Sequence, residues 1–493
     1  MKVGPYVLDE LQSKAVENVR DSMRAGNDRV IMQAPTGTGK TVMALAIMSL
    51  AAERGNRVGV ITSGRQLIYQ MARKCEEAGL DYSVLLANSG YSWSPDAQSL
   101  IISKDTLVAR WGRVSWRQPD LYIVDECDVC VSDQWRKIIE RSPRTVGLTA
   151  TPITGAGDGL GFLYDDMVEV AAYSDLIKSG RLVDIPEGNV YSPYRPDLVG
   201  GKSSAGEWNQ HWLGERMNKQ HLVGDIVSHW SRLARGRKTV VFCTTKAHTV
   251  AVCEAFNAAK IKAEFIIDET TQFERDQIFE RTTSGETQVI VNCATLTRGW
   301  DLPCISCAVL AKPTKRLRLY LQMVGRILRA SPGKKDALLI DHSGCVWEHG
   351  WPTEDRTWGL DGECPKSTSQ PAGGERAEPP ERKCPQCDLV LPGYRSECGS
   401  CGWKRLQRGD MVETEDGTLR SLTRKKRTQQ ETRQRKWTSL LFAFGRSGKT
   451  YAQAASVFRR DSGVWPDAAS VYPLAPEGRR RELISSVFGW TKR

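Results

Sequence analysis

Residues 34–41 of this chain read APTGTGKT, a spacing of glycine, lysine and threonine that suits phosphate binding. The glycines let backbone N–H groups turn toward an anion, Lys40 can reach the β- and γ-phosphates of ATP, and Thr41 can ligate Mg²⁺. Ala34 replaces the first glycine of the GxxxxGK[ST] pattern. An ordinary glycine-rich turn is the alternative, and the loop alone would also suit a kinase, a GTPase or a transporter. The loop residues predicted to contact the nucleotide are Thr36, Gly37, Thr38, Gly39, Lys40 and Thr41.

Two adjacent acids, Asp125 and Glu126, end the apolar run LYIVDE at 121–126. An acid at the end of a buried strand beside a phosphate-binding loop is suited to holding Mg²⁺, so Asp125 is predicted to share the metal with Thr41. Glu126 would orient the attacking water and remove its proton. The pair therefore predicts hydrolysis of ATP rather than binding alone.

Two CxxC knuckles lie close together in the string CPQCDLVLPGYRSECGSC, residues 384–401. This spacing brings four thiolates within reach of one tetrahedral Zn²⁺, and four thiolates leave no open position for catalysis. A structural zinc ribbon is therefore predicted, with disulfides as the alternative that a cytosolic chain disfavours. Two other CxxC pairs, at 127–130 and 304–307, lack a second knuckle and are predicted to pack in the core. The predicted zinc ligands are Cys384, Cys387, Cys398 and Cys401.

A parallel sheet with helices on its faces would position the phosphate-binding loop and the acids. Short β-branched runs that are apolar on both faces alternate with segments of helical period, as in doubly covered parallel sheets. The rhythm occurs twice, so two α/β domains in tandem are predicted. The predicted strands are 30–34, 58–62, 121–126 and 145–150 in the first half, and 238–243, 263–268, 287–292, 307–311 and 337–341 in the second.

The formal net charge of +11 is concentrated at one end of the chain of 493 residues. Residues 404–493 hold 20 Lys and Arg against 9 Asp and Glu, so the preceding residues are formally neutral. A basic appendage suits attraction to phosphate backbones, although a solvated charged tail is the alternative. The chain lacks an apolar run of 18 residues and an apolar leader segment, which predicts a cytoplasmic protein without a membrane partner.

The motifs together resemble those of superfamily 2 helicases of the DEAD/DEAH type, including those of phages and bacteria. The segments that carry the resemblance are APTGTGKT, DECD, LTATP (148–152) and QMVGRILR (322–329), in the order of the family's motifs I, II, III and VI. The resemblance also covers TSGRQLIYQ (62–70), ISKDTL (102–107), VVFCTTKAH (240–248) and NCATLTRGWDLP (292–303). The sequence DECD differs from both DEAD and DEAH, so this box does not decide the subfamily.

The resemblance implies two RecA-like domains with ATP between them. The implied organisation is a first RecA-like domain at 1–175, a linker or insertion at 176–237, a second RecA-like domain at 238–358, a flexible tether at 359–383, a zinc ribbon at 384–403 and a basic helical region at 404–493.

The resemblance also implies roles for residues outside the loop and the acids. Arg326 and Arg329 lie three apart, which would place them on one helix face as arginine fingers that reach the γ-phosphate. Gln322, one turn earlier, would position the nucleotide or water. The implied nucleotide-binding residues are Gln12 (adenine), Gly299 and Asp301. Thr149 and Thr151 would couple the ATP state to domain closure.

Four further residues are implied to contact the sugar-phosphate backbone of a nucleic acid, which would allow binding without reading of sequence. They are Arg65, Thr106, Thr245 and Thr297. The predicted function is an ATP-dependent helicase or translocase, with DNA preferred over RNA, in replication, recombination or branch remodelling. The alternatives are an RNA-remodelling helicase, a zinc-bearing nucleic-acid binding or loading module with a nucleotide switch, and a translocating subunit of a restriction system.

Overall fold

A computed structural model describes most of the first 360 residues and three short segments beyond them. The described residues are 1–110, 117–155, 157–192, 203–204, 207–208, 220–293, 300, 302–360, 382–383, 390–391 and 420–421.

The first domain begins with a two-stranded antiparallel hairpin, β1 and β2, and is built on a seven-stranded sheet. The strands are β1 Lys2–Val3, β2 Tyr6–Val7, β3 Arg29–Gln33, β4 Val58–Thr62, β5 Tyr82–Leu85, β6 Ser99–Ser103, β7 Leu121–Asp125, β8 Thr145–Thr149 and β9 Asp166–Glu169. The sheet order is β5-β6-β4-β7-β8-β3-β9, and all neighbouring strands are parallel. Every loop that leaves a strand at its carboxyl end therefore emerges along one edge of the sheet.

Helices connect these strands and cover both faces of the sheet. They are α1 Glu10–Arg24, α2 Lys40–Ala52, α3 Arg65–Ala78, α4 Lys104–Ala109, α5 Asp133–Arg141 and α6 Tyr173–Lys178, with one 3-10 turn at Cys127–Val129. Asp9 caps α1 in a reciprocal capping box with Gln12. The cap satisfies orphan backbone donors and fixes the start of the helix ahead of the phosphate-binding loop.

The second domain contains another seven-stranded sheet. Its strands are β10 Val190–Ser192, β13 Thr239–Cys243, β14 Ala263–Ile266, β15 Val289–Cys293, β16 Cys307–Leu310, β17 Leu338–Asp341 and β20 Arg420–Ser421; the short strands β11 Ser203–Ser204, β12 Glu207–Trp208, β18 Arg382–Lys383 and β19 Val390–Leu391 form two separate hairpins. The sheet order is β14-β15-β13-β16-β17-β10-β20. All pairs are parallel except the edge strand β20, which runs antiparallel to β10. The prediction of two α/β domains is confirmed.

The helices of the second domain are α7 Gln220–Leu233, α8 Lys246–Ala258, α9 Gln272–Ser284, α10 Leu317–Gly325 and α11 Cys345–His349. The segment predicted as a linker, 176–237, contributes β10 to the second sheet and α7 to its helical layer. Trp230 of α7 is buried, and its indole N–H donates to Thr239 Oγ1 at 2.7 Å. The second domain thus includes residues on the amino-terminal side of 238.

The end of the second domain returns to the first. The backbone N–H of Gly161 donates to the carbonyl of Leu360 at 2.7 Å, and the N–H of Ser174 donates to Asp355 Oδ1 at 3.0 Å. One buried apolar cluster also continues through both domains and includes Val146, Leu182 and Leu310. The two domains thus share apolar packing as well as hydrogen bonds.

No helix in the described part of the chain combines the length and apolarity needed to cross a bilayer. The cysteines of the two CxxC pairs at 127–130 and 304–307 are not joined by disulfides, and all but Cys304 are buried, as predicted for core packing. Burial raises the pKa of the Cys307 thiol to about 12, so it remains protonated.

Candidate nucleotide site between the two domains

The phosphate-binding loop leaves the carboxyl end of β3 and opens α2. Gly39 precedes the first helical residue with φ +84°, and Gly37 has φ +96°, a backbone region that favours glycine. Thr38 is buried, and its hydroxyl donates to the carbonyl of Pro35 at 2.8 Å. Lys40 Nζ donates to the carbonyl of Ala34 at 3.1 Å. The loop thus has the strand, turn and helix context required for a phosphate cradle.

Gln12 is buried against this loop. Its Nε2 donates to the carbonyl of Thr38 at 2.7 Å, and its Oε1 accepts the backbone N–H of Asp9 at 3.1 Å. A Cβ added at Gly39 would lie 2.5 Å from Gln12 Nε2, so a side chain there would displace the Gln12 amide, and the positive φ also favours glycine. The structure brings the predicted adenine-reading glutamine to the site, where one amide group connects the helix cap to the loop.

Arg181 is a part of the site that the sequence did not reveal. Its Nη1 donates to the carbonyl of Thr38 at 3.2 Å, and its guanidinium forms an ion pair with Asp9. The Thr38 carbonyl therefore accepts from two side chains that approach from different parts of the chain. No motif marks Arg181, because its role comes only from the position of the connection between the domains.

The two predicted acids lie at the carboxyl end of β7. Asp125 is the last residue of the strand, and its Oδ1 accepts the backbone N–H of Glu126 at 3.1 Å. Burial and the negative charge of Glu126 together raise the pKa of Asp125 to about 6, although the charge of Lys40 opposes the shift. Glu126 has φ +52°, an uncommon conformation for a residue with a side chain, and such outliers concentrate at functional sites.

Asp128, the last residue of DECD, connects this turn with LTATP. It is buried, and the Thr149 hydroxyl donates to its Oδ1 at 2.8 Å. The same hydroxyl accepts the backbone N–H of Thr151 at 3.0 Å. Burial raises the pKa of Asp128 to about 7, while the cation of Arg318 from α10 opposes this shift. The structure thus places Thr149 and Thr151 in one network with the acidic turn.

The second domain meets the acidic turn through α10. Gln322 Nε2 donates to Glu126 Oε2 at 3.1 Å, although the two residues belong to different domains. A Cβ added at Gly325, the last residue of α10, would lie 2.9 Å from Thr36 Cβ. The helix end is therefore packed directly against the phosphate-binding loop, and this approach requires a glycine.

The predicted helix face for the two arginines is wrong. Helix α10 ends at Gly325, so Arg326 is its C-cap, and Arg329 forms an antiparallel bridge with Leu182. Beyond the helix the chain pairs with the segment that follows α6. The backbone N–H of Val183 donates to the carbonyl of Leu328 at 2.7 Å. Both guanidinium groups still converge, because Arg326 Nη1 and Arg329 Nη1 donate to the carbonyl of Trp300 at 2.8 and 3.3 Å.

Arg329 also lies beside the phosphate-binding loop. A Cβ added at Gly37 would be 3.8 Å from Arg329 Cγ and 2.7 Å from Leu182 Cδ2. The connection and the end of α10 thus cover the loop from the side of the second domain. This position suits a cation that stabilises charge on a transferred phosphoryl group.

The donor set fits a magnesium ion, because a carboxylate and a hydroxyl are the hard oxygen ligands that Mg²⁺ prefers. Asp125 and Thr41 would hold it, and when bound it would neutralise charge on the β- and γ-phosphates. Glu126, which accepts a hydrogen bond from Gln322, is the residue that would orient a water and accept its proton. Among the described residues there is no group of three or more His, Cys, Asp or Glu that could hold a metal.

Several predicted site residues lie outside the described residues. They are Gly299, Asp301, Thr297 and the four zinc-ribbon residues Cys384, Cys387, Cys398 and Cys401.

The described candidates for backbone contact have different surroundings. Arg65 is exposed at the start of α3. Thr106 is buried, and its hydroxyl accepts the N–H of Ala87 at 3.1 Å, so this side chain holds a loop in place. Thr245 is half-buried, caps α8 and accepts the N–H of His248 at 3.2 Å. Within the first domain, Arg65 is the candidate most accessible to a nucleic-acid strand.

Two family models match the two halves of this site. Residues 5–154 match the family described as "Type III restriction enzyme, res subunit", and residues 218–331 match "Helicase conserved C-terminal domain". The first covers the phosphate-binding loop and both acids, and the second covers Gln322 and both arginines. The chain carries the core of a superfamily 2 helicase. It is therefore an ATP-hydrolysing enzyme, in agreement with the site.

Similar proteins support this helicase assignment. The "51.5 kDa protein" of Lactococcus phage (isolate 7-9) is 27% identical, covering 76% of this chain and 77% of its own length. The protein named ATP-dependent helicase IRC3 of Saccharomyces cerevisiae is 26% identical, covering 69% of this chain and 52% of its own. This chain thus spans about half the length of that yeast helicase. Other matching relatives are named as RNA helicases.

A solved structure with the same fold is the ATP-dependent Type ISP restriction-modification enzyme LlaBIII bound to DNA. The two chains superimpose with a TM-score of 0.52 at 15% identity, over 68% of this chain and 28% of that enzyme. This likeness shows the two-domain fold.

Proposed function

We propose that this helicase couples ATP hydrolysis to movement along one strand of a nucleic acid. The observation that carries the proposal is the 3.1 Å contact between Gln322 and Glu126, because it makes the hydrolytic residue depend on the position of the second domain. Opening and closing of the cleft with each ATP would then shift the grip of the two domains on the strand.

DNA is the proposed substrate, in preference to RNA, in replication, recombination or branch remodelling. LlaBIII is bound to DNA, and the family that matches the first domain takes its name from a restriction enzyme. The relatives named as RNA helicases favour RNA remodelling as the second candidate. The two candidates require the same ATP site, so only the substrate separates them.

The substrate assay compares ATP turnover with single-stranded DNA and RNA of equal length and sequence. Stronger stimulation by DNA, together with unwinding of tailed, forked or four-way DNA, is expected. Stronger stimulation by RNA would replace the DNA proposal with RNA remodelling. Absence of stimulation by either strand would overturn the proposed function.

A Glu126→Gln variant separates catalysis from a nucleotide switch. Its amide oxygen can still accept from Gln322, so turnover should fall by about 100-fold or more while binding of a fluorescent ATP analogue is retained. Glu280→Gln, at an exposed position of α9, is the matched control and should hydrolyse ATP normally. Unchanged hydrolysis in Glu126→Gln would overturn the catalytic role proposed for Glu126.

The zinc ribbon remains part of the proposal. The strands Arg382–Lys383 and Val390–Leu391 pair as an antiparallel hairpin that brackets the first CxxC knuckle, at residues 384–387. Two CxxC knuckles with this spacing are typical of zinc ribbons. Elemental analysis should find one zinc per chain, and a Cys384→Ser/Cys387→Ser variant should lose it. A chain that ends at residue 380 should lose affinity for nucleic-acid strands but keep its basal ATP turnover. Full-length protein without zinc would overturn this assignment.

A further inference from the structure

The carboxyl edge of the first sheet is divided between two groups of loops. The phosphate-binding loop follows β3 and the acids follow β7, on one half of the strand order. The strands β5, β6 and β4 form the other half. The loop 86–91 follows β5, helix α4 follows β6 and helix α3 follows β4. Ligands of open parallel sheets bind at this edge, so the second half is available for a ligand other than ATP.

The loop 86–91 is fixed to both neighbouring elements. Arg65 Nη1 donates to the carbonyl of Ala87 at 3.0 Å, and its Nη2 donates to the carbonyl of Asn88 at 2.9 Å. From the other side, Thr106 Oγ1 accepts the N–H of Ala87 at 3.1 Å. Asn88 has φ +51°, so these contacts hold an uncommon turn. The loop is thus held in one conformation although it lies at the surface.

The fixed loop presents a tyrosine to a second tyrosine on α3. The rings of Tyr69 and Tyr91 are stacked, with centroids 6.0 Å apart and an interplanar angle of 30°. Tyr69 is 36% exposed and Tyr91 is 37% exposed. Arg65 lies 5.9 Å from the Tyr69 ring centroid, and its Nη2 donates to the Tyr69 hydroxyl at 3.0 Å. An exposed cation therefore lies beside two exposed rings whose positions are fixed.

We propose that Tyr69 and Tyr91 form a stacking platform for a base of a single-stranded nucleic acid whose adjacent phosphate is held by Arg65. This inference rests on the proposed function, and it adds contact with a base to contact with the backbone. Every base has a π-face, so such a platform grips any sequence. The guanidinium beside the rings supplies the charge that a neighbouring phosphate requires.

Isolated surface aromatics are common and usually have no binding role, so the arrangement decides the interpretation. Phe162 offers a comparison within the same domain. It is 49% exposed, and the guanidinium of Arg136 lies 4.7 Å from its ring centroid. Phe162 has no second ring stacked on it among the described residues, and it precedes β9, away from the fixed loop. It therefore serves as a control for loss of an exposed ring beside an arginine.

The test measures binding of the full-length protein to oligo-dT and to an abasic strand with the same sugar-phosphate backbone. A Tyr69→Leu/Tyr91→Leu variant should lose about 10-fold or more in affinity for oligo-dT and little for the abasic strand. Tyr69→Phe/Tyr91→Phe keeps both rings and should bind oligo-dT within about three-fold of the wild type, and Phe162→Leu should bind as the wild type does. Oligo-rU in place of oligo-dT gives the same comparison for RNA.

A 2-aminopurine base in the strand gives a direct readout. Its fluorescence should be quenched by stacking on the wild-type protein and on the phenylalanine variant, and the quenching should be lost in the leucine variant. Equal loss of affinity for the normal and abasic strands, or unchanged affinity for both, would overturn the platform. A wild-type protein without affinity for any strand would overturn the proposed function instead, so the two failures are distinguishable.

Discussion

Arg318 Nε of the second domain lies 3.2 Å from Asp128 Oδ2 of the first. Both side chains are buried, with 9% and 0% of their surfaces exposed, and the N–H is not aligned for a hydrogen bond to that oxygen, so the contact is one of charge. Asp128 also accepts the Thr149 hydroxyl, and Arg318 lies one turn before Gln322 on α10. The buried carboxylate of Asp128 thus connects the acidic turn with α10, the helix that carries Gln322.

Replacement of Arg318 by Met should uncouple domain closure from ATP binding. The change removes the charge that faces Asp128 in the closed cleft, and an unpaired buried charge costs about 3–5 kcal/mol. Asp128 would respond by taking up a proton, since its pKa is already raised by burial. Strand-stimulated turnover should fall about 10-fold or more, whereas affinity for a fluorescent ATP analogue should change by less than about three-fold.

The matched variant is Asp128→Asn, which keeps an acceptor for the Thr149 hydroxyl and removes the charge. The double variant Asp128→Asn/Arg318→Met should lose less than the sum of the two single losses, since each single change already removes the attraction. Strictly additive losses in turnover would show that the ion pair does not contribute to closure.

The sheets and the acidic turn could be predicted from local patterns. The strand 58–62 has its predicted bounds, and Asp125 ends its strand as expected, because apolar runs buried on both faces carry a strong signal. The strands Tyr82–Leu85 and Ser99–Ser103 were not predicted. Both are short and contain serine residues that the sheet buries, so their composition indicates no continuous apolar run.

Contacts between the domains could not be predicted, because they depend on tertiary packing. The helix at 317–325 ends where Leu328 pairs with Val183, and neither residue signals this pairing. Arg181 and Arg318 belong to no motif, yet each contacts a residue of one. Asp128 is different, since its place in DECD was visible and a buried acid beside the catalytic pair could have been inferred from it.

Gly325→Ala should weaken ATP turnover by overpacking the domain contact. The new methyl group would lie 2.9 Å from Thr36 Cβ, closer than side chains approach, so α10 or the phosphate-binding loop must shift. Overpacking of this kind costs about 1–3 kcal/mol, and turnover should fall by about 10-fold or more. Gly155→Ala, where the nearest atom is 3.8 Å away, is the control and should keep normal turnover. Equal turnover of the two variants would contradict the close contact.

Two substitutions at Gln12 distinguish the two hydrogen bonds of its side chain, to the Asp9 N–H and to the Thr38 carbonyl. Gln12→Glu keeps the acceptor for the Asp9 N–H and removes the donor to the Thr38 carbonyl, whereas Gln12→Ala removes both. Both variants should bind ATP about 10-fold more weakly, because the loop loses a buried hydrogen bond and adenine loses its predicted partner. Gln12→Ala should also lower the thermal midpoint without nucleotide, because the reciprocal half of the capping box is lost, and Gln12→Glu should lower it because its buried carboxylate faces the Thr38 carbonyl. Measurement of ATP and GTP affinities checks the adenine contact, and an unchanged ratio between them would remove that role.

Acid should destabilise the second domain through His342. This half-buried imidazole directly follows β17 with its Nε2 shielded from solvent, and desolvation lowers its pKa to about 3, with the nearby charge of His229 adding to the effect. The folded-state pKa lies below the unfolded value of about 6.5, so the unfolded chain binds a proton first. The stability contribution is therefore complete above about pH 6.5 and is lost as the pH falls toward 3.

His342→Leu removes this titration while keeping a side chain of similar size. Between pH 6 and pH 4 the free energy of unfolding should fall less steeply with decreasing pH in the variant than in the wild type. The two slopes should differ by about 1.4 kcal/mol per pH unit. Urea denaturation followed by tryptophan fluorescence at several pH values checks the slope, since Trp230 is buried in the same apolar layer of the second domain. The carboxylates titrate equally in both proteins, so the difference between them isolates the histidine. Parallel pH profiles would show that His342 takes up a proton equally in the folded and unfolded chains.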